Sequence, residues 1–318
     1  MRKNRVLAIG ASMLVLLGAC TTGGGGSTTA PSTEASSAPS AAPVAIRIGS
    51  DGFYEAKLMG EIYAQVLENA GYTVERNLGL GARDVTSAAL ESGQIDLKPE
   101  YIGSGLGFYD KTKPTGDPAA NATALGAILA TKGGGITVLG YSPAQDTNAF
   151  VVRGETATEK GLARISDLTA VAGDLKWGLP PECATNPLCG GALKDAYGID
   201  VATLQVTPLG ACDAPIAEAL NGKAIDVAEL CSTQPAIAQF GFVVLEDDKQ
   251  TQPAENIAPI VRNDYLAKVD AAAFQALLDA ASAKMTTDEL TKLGVAVAVD
   301  QKDIADVAKQ WLTDQGLL

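Results

Sequence analysis

The chain contains no histidine among its 318 residues. That excludes His-ligated zinc sites, Ser-His-Asp triads and Cys-His nucleophiles, because each needs an imidazole as ligand or base near neutral pH. Aromatic residues are scarce at 5%, with eight tyrosines, six phenylalanines and two tryptophans, so a site built from ring faces must draw on few candidates. Basic residues are outnumbered, 24 against 37 acidic ones, and the formal net charge is −13. With no Lys/Arg cluster beyond the N-terminus to offset this, phosphate backbones are repelled and nucleic-acid binding is excluded. Long apolar runs are missing as well: residues 6–17 fall short of the roughly 20 that a spanning helix requires. No self-similar repeat at solenoid periods is visible. What is present is ample apolar material, 47% of the chain, enough for one large domain or two lobes of about 100 to 150 residues each.

Arg2, Lys3 and Arg5 precede the apolar run, and Leu17-Gly18-Ala19-Cys20 follows it. Positive, apolar and small-residue regions in that order read as a secretory signal peptide over residues 1–20 with a lipobox, Cys20 becoming the lipidated first residue. Cleavage removes three basic and no acidic residues, which takes the charge from −13 to −16. Residues 21–44 are almost entirely Gly, Ser, Thr, Ala and Pro. Such a stretch cannot bury enough surface to order itself and reads as a flexible tether spanning about 25 to 30 Å.

From residue 45 onward, strand and helix signals alternate. Alternating Ile46 and Ile48 predict a strand. Leu58, Ile62, Val66 and Leu67 recur at helical spacing within residues 53–70, and Gly71 closes that helix. Further strands are expected at 72–78, 95–97, 136–141, 149–153, 177–179, 225–228 and 242–245. Helices are expected at 84–92, 121–132, 191–197 and 214–220, and in the tail at 271–283, 287–293 and 303–312. This alternation predicts an α/β fold with mostly parallel sheets flanked by helices. Residues 88–97 (AALESGQIDL) echo residues 217–227 (AEALNGKAIDV): each reads helix, Gly turn, Ile-Asp, strand. Two lobes of like build would produce that echo, with a ligand cleft at the carboxyl ends of their strands.

Besides Cys20 there are four cysteines, Cys183, Cys189, Cys212 and Cys231. In an exported chain disulfides are the default, and four cysteines admit three pairings. The short loop containing Pro187 favours Cys183 with Cys189, which leaves Cys212 with Cys231. A four-thiolate metal site is the rival, and neither C-x-x-C spacing nor histidine supports it.

Five ordered segments stand out: Ile48-Gly49-Ser50-Asp51-Gly52-Phe53-Tyr54-Glu55, Gly79-Leu80-Gly81, residues 93–104 (GQIDLKPEYIGS), residues 245–249 (LEDDK) and residues 258–262 (APIVR). Together they resemble the substrate-binding proteins of ABC importers for osmoprotectants, the glycine betaine, carnitine and choline binding group. The stretch from Ile95 to Ser104 resembles the family's ID-L-x-PEY-x-G-T sequence and is the most specific match. The resemblance implies a type II periplasmic-binding-protein fold. Residues 45–146 plus 247–318 would form the first lobe and residues 147–246 the second, closing over a small ligand. It also implies a cage of aromatic faces for a quaternary ammonium. Tyr101 matches the cage tyrosine, Ser104 a ligand-bonding hydroxyl, and Asn148 and Phe150 a polar residue and an aromatic. Phe53 is a further candidate, and Tyr54, Tyr141 and Trp177 are candidate cage members. Three positions depart from the pattern: Asp51 stands where betaine binders tend to carry lysine, Asn186 where they tend to carry arginine, and Gln234 where they carry an acid. Losing two carboxylate-pairing cations favours a ligand such as choline over glycine betaine.

Each residue also has a plain structural role open to it. Tyr101 and Phe150 suit a buried strand, and Asp51 suits a cap on the helix that follows. The function expected is a lipid-anchored extracytoplasmic receptor, monomeric and without metal, cofactor or catalysis, that delivers a quaternary amine to an ABC permease. The alternatives are a receptor of the same fold for another small polar ligand, a sensing role, or a cleft enzyme working through carboxylates.

Overall fold

The computed structural model describes residues 44–110, 114–212 and 214–318. The expected signal peptide with Cys20, and the tether up to residue 43, lie outside the described residues. Among the described residues the strands are β1 (Ile46–Gly49), β2 (Val74–Asn77), β3 (Leu97–Tyr101), β4 (Ile136–Val138), β5 (Asn148–Arg153), β6 (Lys176–Leu179), β7 (Gln205–Pro208), β8 (Val227–Cys231), β9 (Phe242–Val244) and β10 (Ile257–Arg262). The helices are α1 (Tyr54–Asn69), α2 (Arg83–Ser92), α3 (Ile102–Asp110), α4 (Pro118–Leu129), α5 (Gly154–Lys160), α6 (Ala192–Tyr197), α7 (Ala214–Asn221), α8 (Pro235–Phe240), α9 (Asn263–Leu266), α10 (Ala271–Lys284), α11 (Thr287–Gly294) and α12 (Ile304–Asp314).

Two five-stranded sheets result, ordered β2-β1-β3-β10-β4 and β7-β6-β8-β5-β9. In the first, β1 runs parallel to β2 and β3, while β10 runs antiparallel to both β3 and β4. The second repeats the plan, with β5 antiparallel to both β8 and β9. Each sheet therefore has four strands pointing one way and one against. The reversed strand is in both cases the one entered after the chain has crossed between sheets, through residues 139–147 before β5 and 245–256 before β10. One face of the first sheet buries Ile48, Leu97 and Val261 with α1, α10 and α12; the other buries Ala258 and Ile260 with α2, α3 and α4.

The sequence echo has a common physical cause. Ile95 and Ile225 fill the space over Gly49 and Gly178, where an added Cβ would come within 3.0 Å of either isoleucine. Asp96 and Asp226 then latch onto the neighbouring strand: each accepts from a backbone N–H, that of Arg47 at 2.9 Å and that of Lys176 at 3.0 Å. Each also pairs with an arginine, Arg47 at 2.6 Å and Arg153 at 2.7 Å. Gly49→Ala and Gly178→Ala are therefore expected to cost about 1–3 kcal/mol of stability by overpacking. Ile95→Val or Ile225→Val in the same chain should recover part of it, as read by urea unfolding.

The strands after these aspartates begin two residues later than the spacing predicts and run further, so that β3 includes Pro99. A proline in a central strand forfeits a ladder bond. Here Pro99 faces Pro259 across β3 and β10. Hydrogen bonds run from Ile102 N to Asn256 O and from Arg262 N to Asp96 O, which puts the proline pair at a position where an antiparallel ladder forms none. Between β3 and β10 neither missing N–H is needed; toward β4, Leu139 N donates to Pro259 O at 3.0 Å and the proline returns no bond.

The cysteines pair as Cys183–Cys189 and Cys212–Cys231. With their sulfurs joined, they offer no thiolate to a metal. The acidic run at 246–248, which reads as a solvated turn, instead braces the return crossing: Asp247 accepts from Tyr197 Oη at 2.5 Å and Gln252 N at 2.8 Å, and Asp248 from Ser166 Oγ at 2.6 Å.

Candidate functional site

The chain leaves β1 through Ser50-Asp51-Gly52 and enters α1 at Tyr54. Phe53 keeps an extended backbone at the N-cap, so its ring stays outside the helix and is 45% exposed. Glu55 follows in the first turn, where the helix dipole favours a carboxylate, yet it is 2% exposed. Strand parity decides what meets it. Leu97 and Tyr101 point to the α1 face of the sheet, while Lys98 and Glu100 point to the opposite face. The Tyr101 ring lies 5.8 Å from that of Phe53, tilted by 40°, and its hydroxyl donates to Glu55 Oε1.

On the opposite face Lys98, fully buried, pairs with Asp51 at 3.2 Å and Glu100 at 3.0 Å and donates to Thr86 Oγ1 at 2.8 Å. Thr86 donates to Asp51 at 2.5 Å, and Arg83 pairs with Glu100 at 3.0 Å. Asp51, expected as a ligand contact or helix cap, is therefore committed to an ion network on the far side of β3. The N-cap of α1 is Phe53, which makes no side-chain cap bond.

Beyond the ends of β1 and β8 lies a pocket of about 200 Å³, lined by Phe53, Tyr54, Glu55, Asp146, Thr233 and Gln234 and walled by the Cys212–Cys231 disulfide. It is smaller than the roughly 300–1,000 Å³ of drug-sized sites, so it suits a compact ligand. A larger cavity of about 530 Å³ runs beside Glu289, Leu293 and Trp311 among the C-terminal helices. It lies away from the strand ends, and the smaller pocket is the one that combines ring faces with buried charge. Burial, and then the Asp146 charge, push the Glu55 carboxyl up to about 8, while hydrogen bonds from Tyr101 and Thr233 pull it back. Burial likewise raises Asp146, against opposing hydrogen bonds from Thr233. Tyr101 is held well above its ordinary value, by burial first and by Glu55 and Asp146 next. These are the signatures of negative charge confined in a low-dielectric space.

The remaining expected residues are dispersed. Ser104 is occupied: its N–H and Oγ both bond Glu255, each at 2.9 Å. Asn148 opens β5 opposite Cys231. Phe150 is 2% exposed and meets Trp177 edge-on at 6.2 Å inside the second sheet's core; alternation along β5 turns it toward β6, which makes both rings packing residues. Asn186 accepts from Leu188 N at 2.9 Å and so shapes the turn before Cys189. Two carboxyls that sequence reasoning did not select, Glu55 and Asp146, carry most of the pocket's character. Glu55 stands in the Gly-Phe-Tyr-Glu segment but reads as an ordinary first-turn acid, and Asp146 reads as a loop residue. Two other buried acids, Glu255 just before β10 and Glu229 in the middle of β8, are also raised to about 7. For Glu255 the main cause is burial, and for Glu229 it is burial and then the Glu182 charge.

The family model described as the substrate binding domain of ABC-type glycine betaine transport system matches residues 44–314. The chain is 27% identical over 282 residues to a glycine-betaine-binding protein of Pseudomonas aeruginosa, covering 86% of this chain and 88% of that one. It is 27% identical over 289 residues to the glycine betaine-binding protein YehZ of Escherichia coli K12, covering 89% and 94%. A crystal structure described as a glycine betaine/carnitine/choline ABC transporter superposes with a TM-score of 0.78 at 24% identity, covering 86% of this chain and 99% of that one.

Proposed function

Since the chain belongs to the family of substrate-binding domains of ABC-type glycine betaine transport systems, we propose that it captures a small quaternary amine in the pocket between its two sheets and hands it to an ABC permease. Its fold is the two-sheeted α/β fold of type II periplasmic binding proteins. The observation that carries the ligand class is the Phe53–Tyr101 ring pair standing beside the buried acids Glu55 and Asp146. Ring faces attract an alkylated ammonium, more strongly once water is excluded, and the carboxyls supply countercharge. Residues 45–146 plus 247–318 and residues 147–246 act as lobes that pivot on the two crossings. A ligand touching both holds the closed form, because it binds that form better. Lipidation at Cys20 would tether the body to the outer face of the membrane. None of the described helices is long and apolar enough to cross it.

Isothermal titration with choline, glycine betaine and carnitine tests the reading. At least one is expected to bind with a Kd well below millimolar, and heats indistinguishable from dilution for all three would sink it.

A further inference from the structure

The acid pair faces a shortage of donors. Tyr54 and Glu55 reach the pocket from α1, Asp146 from the outgoing crossing, and Thr233 and Gln234 from the segment after β8, while Tyr101 at the end of β3 bonds Glu55. No lysine or arginine lines it among the described residues. Tyr101 gives its one hydroxyl proton to Glu55. Thr233 gives Asp146 a backbone hydrogen bond, but it has a single hydroxyl proton for two carboxyls, both of which that side chain contacts. One Asp146 oxygen is buried with no hydrogen-bond partner among the described residues. Two like charges in such a space are relieved either by a proton or by a cation.

We propose that Glu55 and Asp146 make the pocket select ligands by net charge: in the free protein the pair holds one proton, and a ligand's cationic head displaces it. A ligand with a carboxylate of its own would meet the same pair at a disadvantage, so a choline-like cation binds in preference to a zwitterion. The proposal rests on the reading of this pocket as the quaternary-amine site. It also transfers to Glu55 and Asp146 the charge preference that the sequence assigns to Asp51.

Calorimetry with choline chloride and glycine betaine at pH 7, in buffers of different ionisation heat, reads the displaced proton directly. Choline is expected to release up to one proton per site, and its Kd to fall by up to about tenfold per pH unit between pH 6 and pH 8 before levelling. Glu55→Gln, or Asp146→Asn should that variant fold poorly, should abolish the release, flatten the pH profile and weaken choline more than glycine betaine. Choline binding without proton release and with a flat profile would overturn the proposal while leaving the quaternary-amine reading intact. If neither probe binds, the reading itself fails, and thermal melts of the free protein judge the shared proton. A carboxyl held above its ordinary value of 4.5 lends stability that is complete below that pH and lost as the pH rises toward about 8. The melting midpoint should therefore fall between pH 5 and pH 8 more steeply in the wild type than in Glu55→Gln, and equal slopes would overturn the shared proton.

Discussion

Lys98→Met is expected to lower the stability of the free protein by about 3–5 kcal/mol, because it strands the buried carboxylates of Asp51 and Glu100 without their shared cation. Lys98 has a side-chain exposure of 0% and lies within 3.2 Å of both acids. Arg83 reaches only Glu100. For a body of this size the thermal midpoint should drop on the order of 10 °C. The triple variant Asp51→Asn, Lys98→Met, Glu100→Gln removes all three charges together and should regain much of the loss, since neutral groups carry no comparable desolvation cost. A midpoint for Lys98→Met within about 2 °C of wild type would show that the network is hydrated and that its ion pairs contribute little.

The second large effect concerns binding. Phe53→Ala should weaken binding of a quaternary ammonium by roughly 10- to 30-fold, the equivalent of about 2 kcal/mol for a ring face acting on a desolvated cation. Because the ring is 45% exposed, the midpoint of the free protein should barely move. That separation distinguishes a ligand wall from a packing residue. Phe150→Leu offers the contrast: a ring 2% exposed against Trp177 should affect stability and leave affinity nearly unchanged. Titration of both variants with the tightest of the three amines decides the matter. Unaltered affinity in Phe53→Ala, or a large loss in Phe150→Leu, would place the site deeper in the second sheet.

Local chemistry made much of the fold legible. Helical spacing in α1, the closing glycine Gly71, the Gly turn after α2 and the strand alternation at 46–49 and 149–153 all act over a few residues, so a linear reading finds them. The repeated Ile-Asp was visible as a pattern, while its cause, an isoleucine over a glycine and an aspartate latched to the adjacent backbone, is a contact across 46 to 50 residues. The end of β3 was misplaced because a proline argues against a central strand unless its register is known. Only the pairing of Pro99 with Pro259 removes the objection.

For the site the division falls elsewhere. The lack of histidine and of a second basic cluster, the shortage of aromatics and the four cysteines with their favoured pairings were properties of the sequence, and they excluded imidazole chemistry and nucleic-acid binding. Which acids line the pocket was decided by tertiary structure. Asp51 and Glu55 are four residues apart and equally charged on paper. One end of α1 separates them, so that Asp51 falls to Lys98 on one face of the first sheet and Glu55 to Tyr101 and Asp146 on the other. A carboxylate's role depends on the dielectric and the partners around it, and for these two acids those partners lie from 35 residues away, Thr86 on Asp51, to well over a hundred, Thr233 on Glu55.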